Sequence, residues 1–188
     1  MNLDKIFRKG LLILTVMAML AAGQTLTAQD KPAIPSPTAA GSVSTDANAR
    51  ATVNFNDVAD KALQAMKHRA EELQVKGVAV VAYSEGDTVQ SWSSKMVVVG
   101  HLAGPPSKKD PNGANLLGIA YTKASEMADT LKDSGSHVRP PMTGEYGWPG
   151  GVVARGKTGV LIAAFSGGPS DDDVKISKAG LEILAGQL

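Results

Sequence analysis

From Phe55 to Leu73 the apolar residues Phe55, Val58, Ala59, Ala62, Met66, Ala70 and Leu73 recur at three- and four-residue steps. That spacing places them on one face of a helix, with Asn54 positioned to cap its start. After Gly77 the pattern changes to a β-branched run, Val78–Tyr83, which reads as a buried strand. Ser84–Asp87 is a turn, and Thr88–Val99 reads as a second strand, so the two form a hairpin.

Pro105, Pro106 and the stretch Lys108–Gly113 break the pattern and predict an exposed loop. A second helix follows from about Ala114 to Asp133. Leu117, Ala120, Tyr121, Ala124, Met127, Ala128 and Leu131 line one face of it, and Gly135 is expected to end it. Ser136–Pro149 has no period and leads through Gly150 and Gly151 into a short strand, Val152–Ala154. Arg155–Thr158 turns the chain into a very apolar strand, Gly159–Phe165, and Ser166–Pro169 makes a tight loop. Ser170 is expected to cap the last helix, with Asp173 in capping-box register and Val174, Ile176, Leu181, Ile183 and Leu184 as its apolar residues. The order αββαββα predicts a single α+β domain, an antiparallel sheet flanked by helices.

The N-terminus reads differently. Lys5, Arg8 and Lys9 precede the apolar run Leu11–Leu20, and small or polar residues continue to Ala28. This is the three-part pattern of a secretory signal peptide over residues 1–28, cleaved after Ala28 or, alternatively, after Gly23. A retained N-terminal anchor is the competing reading, although the apolar run is shorter than the roughly 20 residues of a spanning helix. Residues 29–53 are rich in Pro, Ala, Ser and Thr and read as a flexible linker. The domain is therefore expected at 54–188, exported to a periplasmic or extracellular location, with no stable membrane span after cleavage.

Composition narrows the chemistry. The 188 residues carry 19 Lys and Arg against 18 Asp and Glu, a formal charge of +1. Without residues 1–28 the balance becomes 16 to 17, a net charge of −1. A near-neutral chain speaks against nucleic acid as a partner, because binders of polyanions displace counterions with a basic surface. There is no cysteine, which excludes disulfides, thiolate metal sites and a thiol nucleophile.

No catalytic constellation emerges. The three histidines, His68, His101 and His137, show none of the spacings of a zinc site. Ser166-Gly167-Gly168 lacks the G-x-S-x-G frame of a nucleophile elbow. Gly156-Lys157-Thr158 is flanked by strands and is a hairpin turn instead of a phosphate loop. The loop Ser166–Ser170 stands before a helix whose amides attract anions, but Asp171–Asp173 already occupy that positive end. It is either an anion site or a turn that fits a strand to a helix.

His101 ends an apolar strand beside the proline-rich loop, near Met96 and Val97–Val99. An imidazole on an apolar edge can ligate a haem iron, and the alternative is an ordinary surface histidine. His68 borders the apolar face of the first helix, and His137 sits in the turn-rich segment.

Gly150-Gly151-Val152-Val153, the apolar strand after it, Ser166-Gly167-Gly168, Asp173 and Ala179-Gly180-Leu181 resemble the GlcG/HbpS-like haem-binding family. The helix containing Ile119–Ala124 and the opening helix with Val78–Tyr83 extend the resemblance over roughly residues 55–187. The resemblance implies a profilin-like domain that forms homo-oligomers and takes haem or a related tetrapyrrole, in sequestration or sensing. The resemblance carries over no iron ligand. From their positions in the sequence His101, His137, His68 and Met96 are the candidate haem contacts, with His101 as candidate iron ligand, and Gly150, Gly151, Ser166, Gly167 and Gly168 are loop candidates. Two departures stand out: Val153 where the family usually has proline, and a longer Ser91–Gly104 segment containing His101. The other readings are an enzyme acting on haem or another small molecule, and a structural oligomeric module without a tetrapyrrole.

Overall fold

The computed structural model describes residues 45–108 and 110–188. The expected signal peptide and the linker residues before Thr45 lie outside the described residues. The elements are α1 (Thr45–Glu72), β1 (Gly77–Glu85), β2 (Ser93–Val99), α2 (Leu116–Thr130), β3 (Gly151–Arg155), β4 (Gly159–Ser166) and α3 (Ser170–Gln187). The four strands form one sheet in the order β2-β1-β4-β3, with every neighbouring pair antiparallel. The αββαββα order and the α+β class are both present.

The alternation of side chains across a strand decides which helix each residue meets. Ala79 and Val81 of β1, with Leu161, Ala163 and Phe165 of β4, pack against Phe55, Val58, Ala62 and Met66 of α1 and Ile176 and Leu184 of α3. Ala82, Val160, Ile162 and Ala164 face Ala124 and Met127 of α2, and Val78 and Val80 face Leu116 and Ala120. The two central strands are thus covered on both faces, which is why they read as continuous apolar runs instead of alternating ones. Gly180 lets α3 approach α1 closely: a Cβ there would meet the buried Met66 side chain.

Several boundaries differ from the sequence expectation, each for a local reason. The backbone of α1 already begins at Thr45, so position 54 lies within the helix and not at its start. Strand β2 starts at Ser93 instead of Thr88, because Val89 and Trp92 turn onto the α2 side of the sheet and pack there. Helix α2 is shorter than Ala114–Asp133. Asn115 caps it by accepting a bond from the Gly118 amide at 2.9 Å. Leu131 ends it in the left-handed region at φ 53°, four positions before Gly135.

The start of α3 is the clearest correction. Ser170 is its first helical residue, Pro169 precedes it, and no side chain caps the end. Asp173 is instead turned inward, where its Oδ1 accepts the Gly168 amide at 2.9 Å and its Oδ2 meets Lys123. A buried ammonium competes for this carboxylate more strongly than an exposed helix end does.

Candidate functional site

The candidate residues fall into three separate places. The first is the chain after β2. Gly100, at φ 91°, turns the backbone out of the strand and leaves His101 exposed. Leu102–Gly104 then pairs with Ala114–Leu116, through Leu116 N to Leu102 O at 3.0 Å and Gly104 N to Ala114 O at 2.8 Å. This pairing walls an open, mainly apolar groove of about 470 Å³ between Leu102, Ala103, Ala114 and Leu117. Leu102 is 49% exposed, and His101 directly precedes it. His101 makes no hydrogen bond or ion pair among the described residues. Met96, opposite Val80 in the β1–β2 register, packs into the same apolar cluster as Ala114 and Leu117.

His68 and His137 do not join it. His68 lies on α1, on the other face of the sheet from α2, with its Nδ1 3.4 Å from Glu72. His137 is in the segment after α2, at φ 55°. Among the described residues no group of three or more His, Asp or Glu side chains is placed to hold a metal ion.

The second place is the meeting point of β3, β4, α2 and α3. Lys123 and Asp173, each with only 4% of the side chain exposed, form an ion pair at 2.8 Å. The Lys123 ammonium also donates to the Phe165 carbonyl at 2.7 Å. Burial pushes the Lys123 ammonium below its ordinary pKa, and the Asp173 charge opposes that fall. Burial likewise pushes the Asp173 carboxyl up, against the pull of Lys123 and the amides of Gly168 and Gly167. Gly150 closes over the pair. Its carbonyl accepts Phe165 N at 3.0 Å and the Ser177 hydroxyl at 2.7 Å. Gly151 N donates to Ser134 Oγ at 2.8 Å, and Ser166 is buried at the end of β4.

The loop residues Gly150, Gly151, Ser166, Gly167 and Gly168 are therefore brought together, but around an internal ion pair. The Gly168 amide that an external anion would use is taken by Asp173. Lys123 is the residue that sequence reasoning left without a role. Its signal was a charge set beside Ala120, Ala124 and Met127 on the buried side of α2, which also takes in Glu126.

The third place is the segment 136–149, which had no period in the sequence and is nevertheless built. Arg139 holds Glu145 in a two-pronged pair, Nη1 to Oε2 at 2.7 Å and Nη2 to Oε1 at 2.9 Å, while its Nε donates to Asp129 at 2.8 Å. The loop presents Val138, Met142, Tyr146 and Trp148 to solvent, the last two stacked at 4.5 Å. The bonds from Arg139 and from the Met142 amide hold the Glu145 carboxyl down at about 2.

A carboxyl depressed in the folded state stabilises above its unfolded pKa of about 4.5 and loses that contribution as pH falls. The loop is therefore expected to loosen between about pH 4.5 and about pH 2. In a Trp92→Phe background, the near-ultraviolet circular dichroism of the Tyr146–Trp148 stack should decline across that window while the far-ultraviolet signal persists. Glu145→Gln should remove the pH dependence. A flat near-ultraviolet signal down to pH 2.5 would contradict the assignment.

No family model matches the chain, and no curated protein matches it. Solved structures do. A complex of PduOC with haem matches with a TM-score of 0.48 and 16% identity, over 68% of this chain and 91% of the other. A double Glu→Asp mutant of HbpS from Streptomyces reticuli matches at 0.42 and 18% identity, over 87% and 99% of the two chains. A second HbpS structure matches at 0.41 and 19% identity, over 68% and 87%.

Proposed function

We propose that this protein binds haem or a related tetrapyrrole, with the His101 imidazole as the ligand to iron. The observation that carries the reading is an exposed imidazole, uncommitted among the described residues, at the rim of the Leu102–Leu117 groove. The donor chemistry fits. A neutral imidazole nitrogen suits haem iron, and Leu102, Ala103, Ala114 and Leu117 offer apolar surface to the macrocycle. Bound haem would supply an iron centre with positions for further ligands. Met96 supports the groove from within its apolar cluster.

The sequence resemblance over residues 55–187 favours the same ligand. An open groove covers only part of a flat macrocycle, so a second copy covering the remainder belongs to this reading, as a homo-oligomer. The leader-like residues 1–28 add export to a periplasmic or extracellular site, where such a protein would sequester haem or report on it.

Titration of the mature protein with haemin tests the proposal. A shifted Soret band is expected, with His101→Ala moving its position and weakening binding about tenfold or more, and His68→Ala leaving both unchanged. No Soret shift in the unsubstituted protein would overturn tetrapyrrole binding. A shift that survives His101→Ala and vanishes with His137→Ala would overturn His101 and move the site to the 136–149 loop.

A further inference from the structure

A second cleft, of about 430 Å³, opens between the chain leading into β2 and the outer face of α2. Trp92 and Ala128 give it an apolar wall, and Gln90, Ser125 and Asp129 give it polar groups. None of these residues belongs to the His101 groove or to the Lys123–Asp173 pair. We propose that this cleft binds a neutral sugar ring, with Trp92 against the ring's C–H face and Asp129 and Gln90 bonding its hydroxyls.

The cleft is organised before any ligand arrives. Trp92 is half-buried and tilts against Tyr121 at 6.4 Å, and the Tyr121 hydroxyl is within 3.2 Å of the Ser94 hydroxyl. Ser125, Ala128 and Asp129 lie three and four residues apart on α2, so they share one stripe of the helix. Arg139 contacts Asp129 through Oδ2, with Nε and Nη2 each 2.8 Å away. The carboxylate is thereby fixed in direction, and among the described residues its Oδ1 accepts no hydrogen bond.

The chemistry of the lining selects the ligand class. Asp129 accepts, the Gln90 amide both donates and accepts, and Ser125, whose hydroxyl already donates to the Thr122 carbonyl at 2.9 Å, retains acceptor capacity. Adjacent hydroxyls that donate and accept in turn match such a set. Among the described lining residues Asp129 is the charged one, and its Arg139 partner is shared with Glu145, so the three side chains together carry one net negative charge and the cleft disfavours an anion. An aromatic wall with a few convergent polar groups is the usual make-up of a small-ligand site.

Trp92 and Trp148 are the two tryptophans of the chain, so Trp148→Phe leaves Trp92 as the sole indole emitter. That variant is titrated with cellobiose, maltose and N,N′-diacetylchitobiose, and the unsubstituted protein is followed with the same sugars by calorimetry. A saturable change in Trp92 emission with at least one sugar is expected, matched by heat in the calorimeter. Asp129→Asn should weaken binding about tenfold, because a charge-assisted acceptor becomes a neutral one. Trp92→Ala should abolish the calorimetric signal. The proposal is overturned if no sugar gives a saturable response, if Asp129→Asn binds as well as the parent, or if haemin displaces the sugar competitively from the cleft.

Discussion

Replacing Lys123 by Met is expected to lower the unfolding free energy by about 3–5 kcal/mol, the usual cost of removing one partner of a buried ion pair. The loss has two parts in this fold. Asp173 keeps the Gly168 amide but loses its 2.8 Å ammonium, and the Phe165 carbonyl loses its 2.7 Å donor inside the protein. Against a typical total of about 5–15 kcal/mol, that is a large fraction of the stability. Urea denaturation read by far-ultraviolet circular dichroism measures it.

The double variant Lys123→Met, Asp173→Asn should cost less than the sum of the two single variants. The asparagine oxygen still accepts from Gly168, and no uncompensated charge remains buried. Strict additivity would mean that the two side chains do not share one interaction, contrary to their contact.

Gly150→Ala is expected to cost about 3 kcal/mol, from two sources that can be separated. Gly150 sits at φ 138°, where an L side chain is strained by about 1–3 kcal/mol. A Cβ there would also run into the Lys123 ammonium and lie 2.9 Å from the Asp173 Cβ. The ammonium would then have to leave its place between Asp173 and Phe165. In the Lys123→Met background the steric part falls, because no ammonium occupies that spot, while the backbone part stays. A thermodynamic cycle should show a coupling of about 1 kcal/mol or more. If Gly150→Ala costs the same in both backgrounds, the glycine serves backbone geometry alone.

These two variants bear on how the loop glycines are understood. Gly150, Gly167 and Gly168 look in sequence like parts of a ligand loop, because glycines before a helix commonly cradle anions. In the fold their amides and carbonyls are spent on Asp173, Phe165 and Ser177. The accessible candidate chemistry lies elsewhere, at His101 and its groove and at the Trp92–Asp129 cleft.

The sequence by itself determined the number, order and type of the elements. Helix α1 shows its buried face at three- and four-residue steps, and β1 and β4 show unbroken apolar runs, because local periodicity is dictated by the geometry of each element. It also singled out His101, which the fold leaves exposed beside Leu102. It missed the ends of α2, the second of which Leu131 sets in the left-handed region. It placed the start of α3 within one residue but not the cap, since Asp173 turns inward to Lys123.

Only the tertiary structure decided which residues meet. Lys123 and Asp173 are 50 positions apart, and they touch because β4 ends between α2 on one face and α3 on the other. Arg139 joins Asp129, ten residues back, to Glu145, six residues ahead, in a segment with no period to read. A hydrophobic pattern encodes the face that a residue turns to the core. A polar contact across the fold depends on where several elements end together, which no local window of sequence contains.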